Sequence, residues 1–209
     1  IARDVIERNG ARSNFLNYGN PPFPAVICSS PNDVIVHGIP SDTVVLEEGD
    51  IVSIDCGAII QGYHGDAANT WPVGQISAEA EKLLRVTEES LWAGIEQMRD
   101  GNRISDIGHA VQTVAEGAGY SVVREYVGHA IGTAMHEKPE VPNYGDPGKG
   151  PKLRVGNVFA VEPMVNLGGR ETQVLPDGWG VVTLDGSLSA HFEHSIAITE
   201  NGPEVLTLL

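Results

Sequence analysis

Cysteine is scarce in this chain: Cys28 and Cys56 are the only two in 209 residues, and neither belongs to a C-x-x-C pair. Two isolated thiols do not make a disulfide framework, and they suit a reducing compartment, so a cytoplasmic protein is expected. Basic residues are also few, 13 Lys and Arg against 28 Asp and Glu, for a net charge of −15. That balance argues against tight binding to nucleic acid through phosphate neutralisation, and most of the acids are expected to serve solubility. No apolar run is long enough to cross a bilayer, so no membrane partner is expected. No signal peptide, low-complexity segment or linker interrupts the chain, and a single unit over 1–209 is expected. An initiator Met is missing too. The chain opens on "IARDVIERNG", which reads as the tail of a helix with Ile1, Val5 and Ile6 on one face and Gly10 as its stop. The natural chain is expected to start earlier.

What is present looks globular, 41% hydrophobic and 20% charged. A long Pro-, Asn- and Ser-rich stretch, "SNFLNYGNPPFPAVICSSPNDVIVHGIPSD", holds strand-like runs at 25–28 and 34–36, and stretches of this kind usually carry function. Further strands are expected at 44–45, 51–60 and 67–73. Ser77 caps a helix whose Leu84, Thr87, Leu91, Ile95 and Met98 recur at helical spacing up to Gly101. A second helix runs from Ser105 to Gly119 with Ile107, Val111, Val114 and Ala118 on one face. Strands follow at 121–124, 158–165, 181–184, 195–199 and 205–208. Strands and helices in separate blocks indicate α+β, not a doubly wound parallel sheet.

The segment "DCGAIIQGYHGD" begins and ends on an acid and reads as a hairpin turning at Gln61-Gly62. Because side chains alternate along strands, Asp55 and Asp66 then fall on one face, where like charges destabilise a sheet. "LEEGDIVSID" (46–55) is echoed without gaps by "LRVGNVFAVE" (153–162), which pairs Asp55 with Glu162. If the echo marks two related halves, about 40–120 and 121–209, Glu193 in "HFEHSIAIT" is the counterpart of Asp66. Four carboxylates would then converge on a pseudo-twofold axis, and only protons or cations could hold them there. Asp/Glu clusters are the ligand set of hard or borderline divalent ions. Imidazole would complete a transition-metal site, and of the seven histidines His37, His129 and His136 sit among Gly and Pro, whereas His64, His109, His191 and His194 do not.

"VGHAIGTAMHEKPEVPNYG", "AVEPMV", "GYHGDAANTW", "DGWGVVTLDGSLSAHFEHSIAIT", "VHGIPS" and "NYGNPPFPAVIC" together resemble type I methionine aminopeptidase along the whole chain. The resemblance implies the pita-bread fold, two αβ halves about a pseudo-twofold axis with a central antiparallel sheet. It implies metal-dependent removal of the initiator methionine from new polypeptides whose second residue is small. It also implies two divalent ions held by Asp55, Asp66, His129, Glu162 and Glu193, with Asp66 and Glu193 bridging. Mn²⁺, Fe²⁺ or Co²⁺ suit this oxygen-rich set better than Zn²⁺, which stays possible. Glu162 is the implied proton shuttle, and His37 and His136 face the substrate. Cys28, Phe23, Trp179, Met135 and Tyr18 map onto the methionine pocket. The partners implied are peptide or nascent-chain N-termini, with the protein expected as a monomer.

Three positions depart from the family pattern: Ala130 stands where Gly is usual, Gly180 where Thr is usual and His191 where Gln is usual. The stretch around Tyr18 is two residues longer than usual. A prolidase or proline-specific aminopeptidase of the same fold is the near alternative, although those enzymes add a large N-terminal domain. The type II insertion between the third and fourth ligands is absent, with only 33 positions from His129 to Glu162. A non-catalytic pita-bread binding protein is the alternative from another class; such relatives lose ligands, and none is lost here.

Overall fold

The computed structural model describes residues 1–208. Helix α1 (Ala2–Arg8) leads into short strands β1 (Arg12–Ser13), β2 (Cys28–Pro31) and β3 (Val34–Val36), then the long pair β4 (Ile51–Ile60) and β5 (Tyr63–Pro72). Helices α2 (Ala78–Glu96) and α3 (Ile104–Gly117) follow. The remainder is strand: β6 (Ser121–Val122), β7 (Gly128–Ala130), β8 (Glu137–Val141), β9 (Val158–Val161), β10 (Met164–Asn166), β11 (Thr172–Val174), β12 (Val181–Thr183), β13 (Ser189–His191), β14 (His194–Thr199) and β15 (Gly202–Val205).

Gln61 and Gly62 both take positive φ, 52° and 86°, the backbone of a two-residue type I′ turn, which matches the twist of the strands it joins. The turn fixes the register of β4 against β5, with Asp55 opposite Ala68 and Gly57 opposite Asp66. Directly opposed residues share a face, and so do residues two apart. Asp55 and Asp66 therefore project from one face as a diagonal pair. Cys28 lies opposite Asp55 on the other neighbouring strand and shares that face.

The second antiparallel sheet runs β15-β14-β9-β7-β8. Phe159, Val161, Ile196 and Ile198 belong to the main core, beneath α2 and α3. Ser77 caps α2 by accepting from the backbone of Ala80 at 3.1 Å, and Glu79 and Glu81 in the first turn suit the positive end of the helix dipole. Gly94 lets the two helices close on each other, since a Cβ there would lie 2.8 Å from Val111. With Phe159, Val161, Ile196 and Ile198 facing the helices, their alternates face away. Ala160 is opposite both Ser195 and His129, so the face turned from the helices presents His129, Ser195 and, at the strand ends, Glu162 and Glu193.

The two sheets join at this face. Ala68 and Glu193 exchange backbone hydrogen bonds, at 3.3 and 2.9 Å, and the Ser195 hydroxyl donates to the Asp66 carbonyl and accepts from the Asp66 N–H. The strands of the echo thus occupy matching places: β4 pairs antiparallel with β5, β9 pairs antiparallel with β14, and β5 meets the chain entering β14.

Several boundaries differ from those expected. Val44 and Val45 form no strand and are exposed; β-branched character does not make a strand without a pairing partner. The run expected at 25–28 begins pairing only at Cys28, because Val26 and Ile27 lie in a bend. The strand expected at 158–165 is split at Glu162-Pro163, since proline has no N–H for the ladder. The last strand is β15, ahead of the expected 205–208, and Leu209 lies outside the described residues. In α1 only Ile6 is buried; Ile1 and Val5 are exposed.

Candidate active site

Every candidate metal-binding, catalytic and pocket residue named from the sequence lines one cavity of about 140 Å³, where Phe15 joins them. One atom each from Asp66, His129 and Glu193 lies within 4.8 Å of the others. The Asp55 and Asp66 carboxyls are close enough for each to influence the other's ionisation, and Glu162 Oε1 lies 3.6 Å from His129 Nε2. The His129 Nδ1–H donates to the carbonyl of Ala130 at 3.1 Å. That bond assigns the proton to Nδ1 and leaves Nε2, the nitrogen beside Glu162, as an unprotonated donor for a cation.

Burial dominates the electrostatics. The Asp66 carboxyl is pushed from 3.8 up to about 7 by desolvation, against the pull of hydrogen bonds from Asp55 and the Ala67 backbone. Asp55, Glu162 and Glu193 are driven well above the usual carboxylate range by desolvation first and by the charge of Asp66 second. His129 and His37 are each lowered to about 4, by burial and then by His136. His136 itself is lowered, by burial and then by His64. Among the described residues no Lys or Arg pairs with any of the four acids, and one oxygen each of Asp55 and Asp66 is buried without a hydrogen-bond partner. Buried carboxylates of this kind need either protons or an external cation. The donor set, four carboxylates with one imidazole, fits divalent ions of the Mn²⁺, Fe²⁺ or Co²⁺ kind.

Beside the charged group stands an apolar cluster of Phe15, Phe23, Cys28 and Met135, with Trp179 against it. Phe23 and Trp179 meet edge to face with centroids 5.2 Å apart. His37 reaches the cavity from a strained backbone, φ 59°, and the turn is tight because Gly38 sits where a Cβ would be 2.2 Å from the Ser29 carbonyl. Burial first and then the neighbouring carboxylates push the Cys28 thiol well above its ordinary pKa, so it stays protonated at neutral pH.

Two of the departures have structural accounts. A Cβ on Gly180 would lie 2.8 Å from the Leu175 side chain, so the turn there has closed over the space. His191 is buried, with Nε2 3.9 Å from Glu162 Oε2 and no hydrogen-bond partner; a flexible amide there could reach Glu162, but the imidazole stops short. Nothing in the structure explains Ala130. Phe15 and His191 were not read as site residues from the sequence. An aromatic inside the Pro/Asn loop was a signal for Phe15, and for His191 the signal was its departure from the family's usual Gln.

Residues 2–200 match Metallopeptidase family M24. A methionine aminopeptidase of Clostridium acetobutylicum is 55% identical over 208 residues, covering 100% of this chain and 82% of that protein. The crystal structure of methionine aminopeptidase from Thermotoga maritima superposes with a TM-score of 0.96 at 44% identity, covering 99% of this chain and 82% of that one. A prolidase from Pyrococcus horikoshii is more distant, at a TM-score of 0.66 and 26% identity over 88% of this chain and 48% of that one.

Proposed function

Because the chain belongs to Metallopeptidase family M24, we propose that it hydrolyses the first peptide bond of new polypeptides and releases the initiator methionine. The observation that carries this reading is one cavity with a carboxylate–imidazole cluster on one side and an apolar, aromatic wall on the other. At about 140 Å³ it is close in size to the cavity of about 150 Å³ that takes benzene. That is room for one unbranched thioether side chain, and a bound residue would set its α-amine and carbonyl against the acids. A small second residue follows if the cavity closes just beyond the first carbonyl. The apolar wall and the higher similarity to methionine aminopeptidases disfavour the prolidase alternative.

Asp55, Asp66, His129, Glu162 and Glu193 are the residues proposed to hold two divalent ions. When bound, such ions would polarise the scissile carbonyl and bring the pKa of water toward neutrality. The rest falls to side chains. Glu162 takes a proton from water and passes it to the leaving amine. His136 stays neutral and donates to the carbonyl oxygen as negative charge develops there, an oxyanion-type contribution. His37, across the cavity, contacts the amide nitrogen on the leaving side. Phe15, Phe23, Cys28, Met135, Tyr18 and Trp179 exclude water from the methionine side chain. The whole chain is proposed to act as one catalytic unit with pseudo-repeat halves near 40–120 and 121–209. Its free thiols suit work in the cytoplasm on emerging N-termini.

Chelator-stripped protein supplied in turn with Mn²⁺, Fe²⁺, Co²⁺ and Zn²⁺ tests this with Met-Ala-Ser and with proline-containing tripeptides. Release of Met from Met-Ala-Ser with at least one ion is expected. Cleavage only beside proline would overturn the substrate assignment, and no cleavage with any ion would overturn the reaction.

A further inference from the structure

We propose that Tyr18 is a positioning residue: its phenol donates a hydrogen bond to Nδ1 of His136 and so fixes the imidazole tautomer that carries its N–H on Nε2. The oxygen and nitrogen are 2.6 Å apart. A phenol is a good donor and a weak acceptor, whereas an unprotonated imidazole nitrogen is a good acceptor, so the pair favours the phenol as donor. A neutral imidazole has one donor and one acceptor. With Nδ1 accepting from Tyr18, the proton lies on Nε2, and that N–H is what His136 can offer to the cavity it lines.

The loop around Tyr18 is built to hold the phenol in place. Tyr18 donates its N–H to the Phe15 carbonyl at 2.9 Å and accepts from Phe23 at 2.8 Å, while Asn17 donates to the Phe23 carbonyl at 2.8 Å. The indole N–H of Trp179 pins the same loop through the Pro21 carbonyl at 3.0 Å. Gly19 makes that contact possible, since a Cβ there would lie 2.5 Å from the Trp179 ring. The residues of this loop therefore do more than form a wall. They bring a hydroxyl to the back of the imidazole, with the two rings 5.3 Å apart, and tie its orientation to the aromatic residues that contact methionine.

The proposal rests on the aminopeptidase reading only for what the Nε2 proton does, and its primary readout needs no activity. The test is ¹⁵N NMR of the His136 ring in the Zn²⁺-loaded and stripped protein, because Zn²⁺ is diamagnetic, for wild type and Tyr18→Phe. Tyr18 is partly exposed and the substitution keeps the ring, so folding is expected to survive; an unchanged Tm checks it. Wild type is expected to show Nε2–H with Nδ1 unprotonated, and Tyr18→Phe a mixture of tautomers. For release of Met, kcat in Tyr18→Phe should fall about three- to tenfold, the worth of one hydrogen bond, with KM little changed. A wild-type ring with the proton on Nδ1, an imidazolium at neutral pH, or the same tautomer in Tyr18→Phe would overturn the proposal. A rise in KM with unchanged kcat and tautomer would make Tyr18 a pocket wall only.

Discussion

Replacing Asp66 by Asn should make the metal-free protein more stable at alkaline pH while abolishing its stabilisation by metal. The Asp66 carboxyl titrates at about 7 in the fold, against 3.8 ordinarily, chiefly because it is buried. At about 1.36 kcal/mol per pKa unit, holding it ionised costs the folded state about 4 kcal/mol. The sign follows from proton binding. The folded state keeps a proton that the unfolded state has released, so the wild-type contribution is intact below pH about 4 and is lost as pH rises through about 7. Asparagine imitates the protonated form at every pH. The difference between variant and wild type removes the histidine titrations common to both, and relief of Asp55, Glu162 and Glu193 from the Asp66 charge acts in the same direction. It should grow from under about 1 kcal/mol near pH 4 to about 4 kcal/mol near pH 8.5. In urea with a slope of about 2 kcal/mol per M, this is a midpoint about 2 M higher for the variant. Wild type should recover its deficit on adding Mn²⁺, with proton release seen by calorimetry in buffers of different ionisation enthalpy; the variant should not. Equal or lower stability of stripped Asp66→Asn at pH near 8.5 would refute the claim that burial holds this carboxyl above its ordinary pKa.

Two further outcomes separate the parts of the site. His136→Ala should retain its Mn²⁺ content by elemental analysis yet lose about 10²- to 10³-fold in kcat, the usual loss when one oxyanion donor is removed; wild-type turnover would reject its role. Gly128→Ala would place a methyl 2.3 Å from the Ala160 carbonyl, forcing β7 off β9. A loss of about 1–3 kcal/mol in thermal unfolding is expected, together with weaker Mn²⁺ binding because His129 is the next residue.

The hairpin and its acid pair could be read from the sequence because they rest on two local facts, the Gln61-Gly62 turn and the period of two along a strand. The Ser77 cap was equally local, and the echo between 46–55 and 153–162 carried the second pair of acids. Other elements depended on partners the sequence does not announce. Strand β7 is three residues long and exists because β8 and β9 flank it. Val44 and Val45 have β-branched side chains but no strand beside them. The resemblance supplied His129 and the aromatic pocket, which periodicity alone would not have chosen from seven histidines. His191 against Glu162 and Phe15 in the cavity are products of long-range packing.

The bridge between Ala68 and Glu193 has a consequence for how the molecule comes apart. Acids from each sheet lie on either side of this junction, so a dication held between them would act as a rivet. Parting the sheets by even a bond length would dismantle the catalytic group, and neither sheet could do the chemistry alone. Conversely, with the rivet withdrawn, ionisation of the acids at alkaline pH would pry at the junction. The same metal that activates water would then keep the two leaves closed.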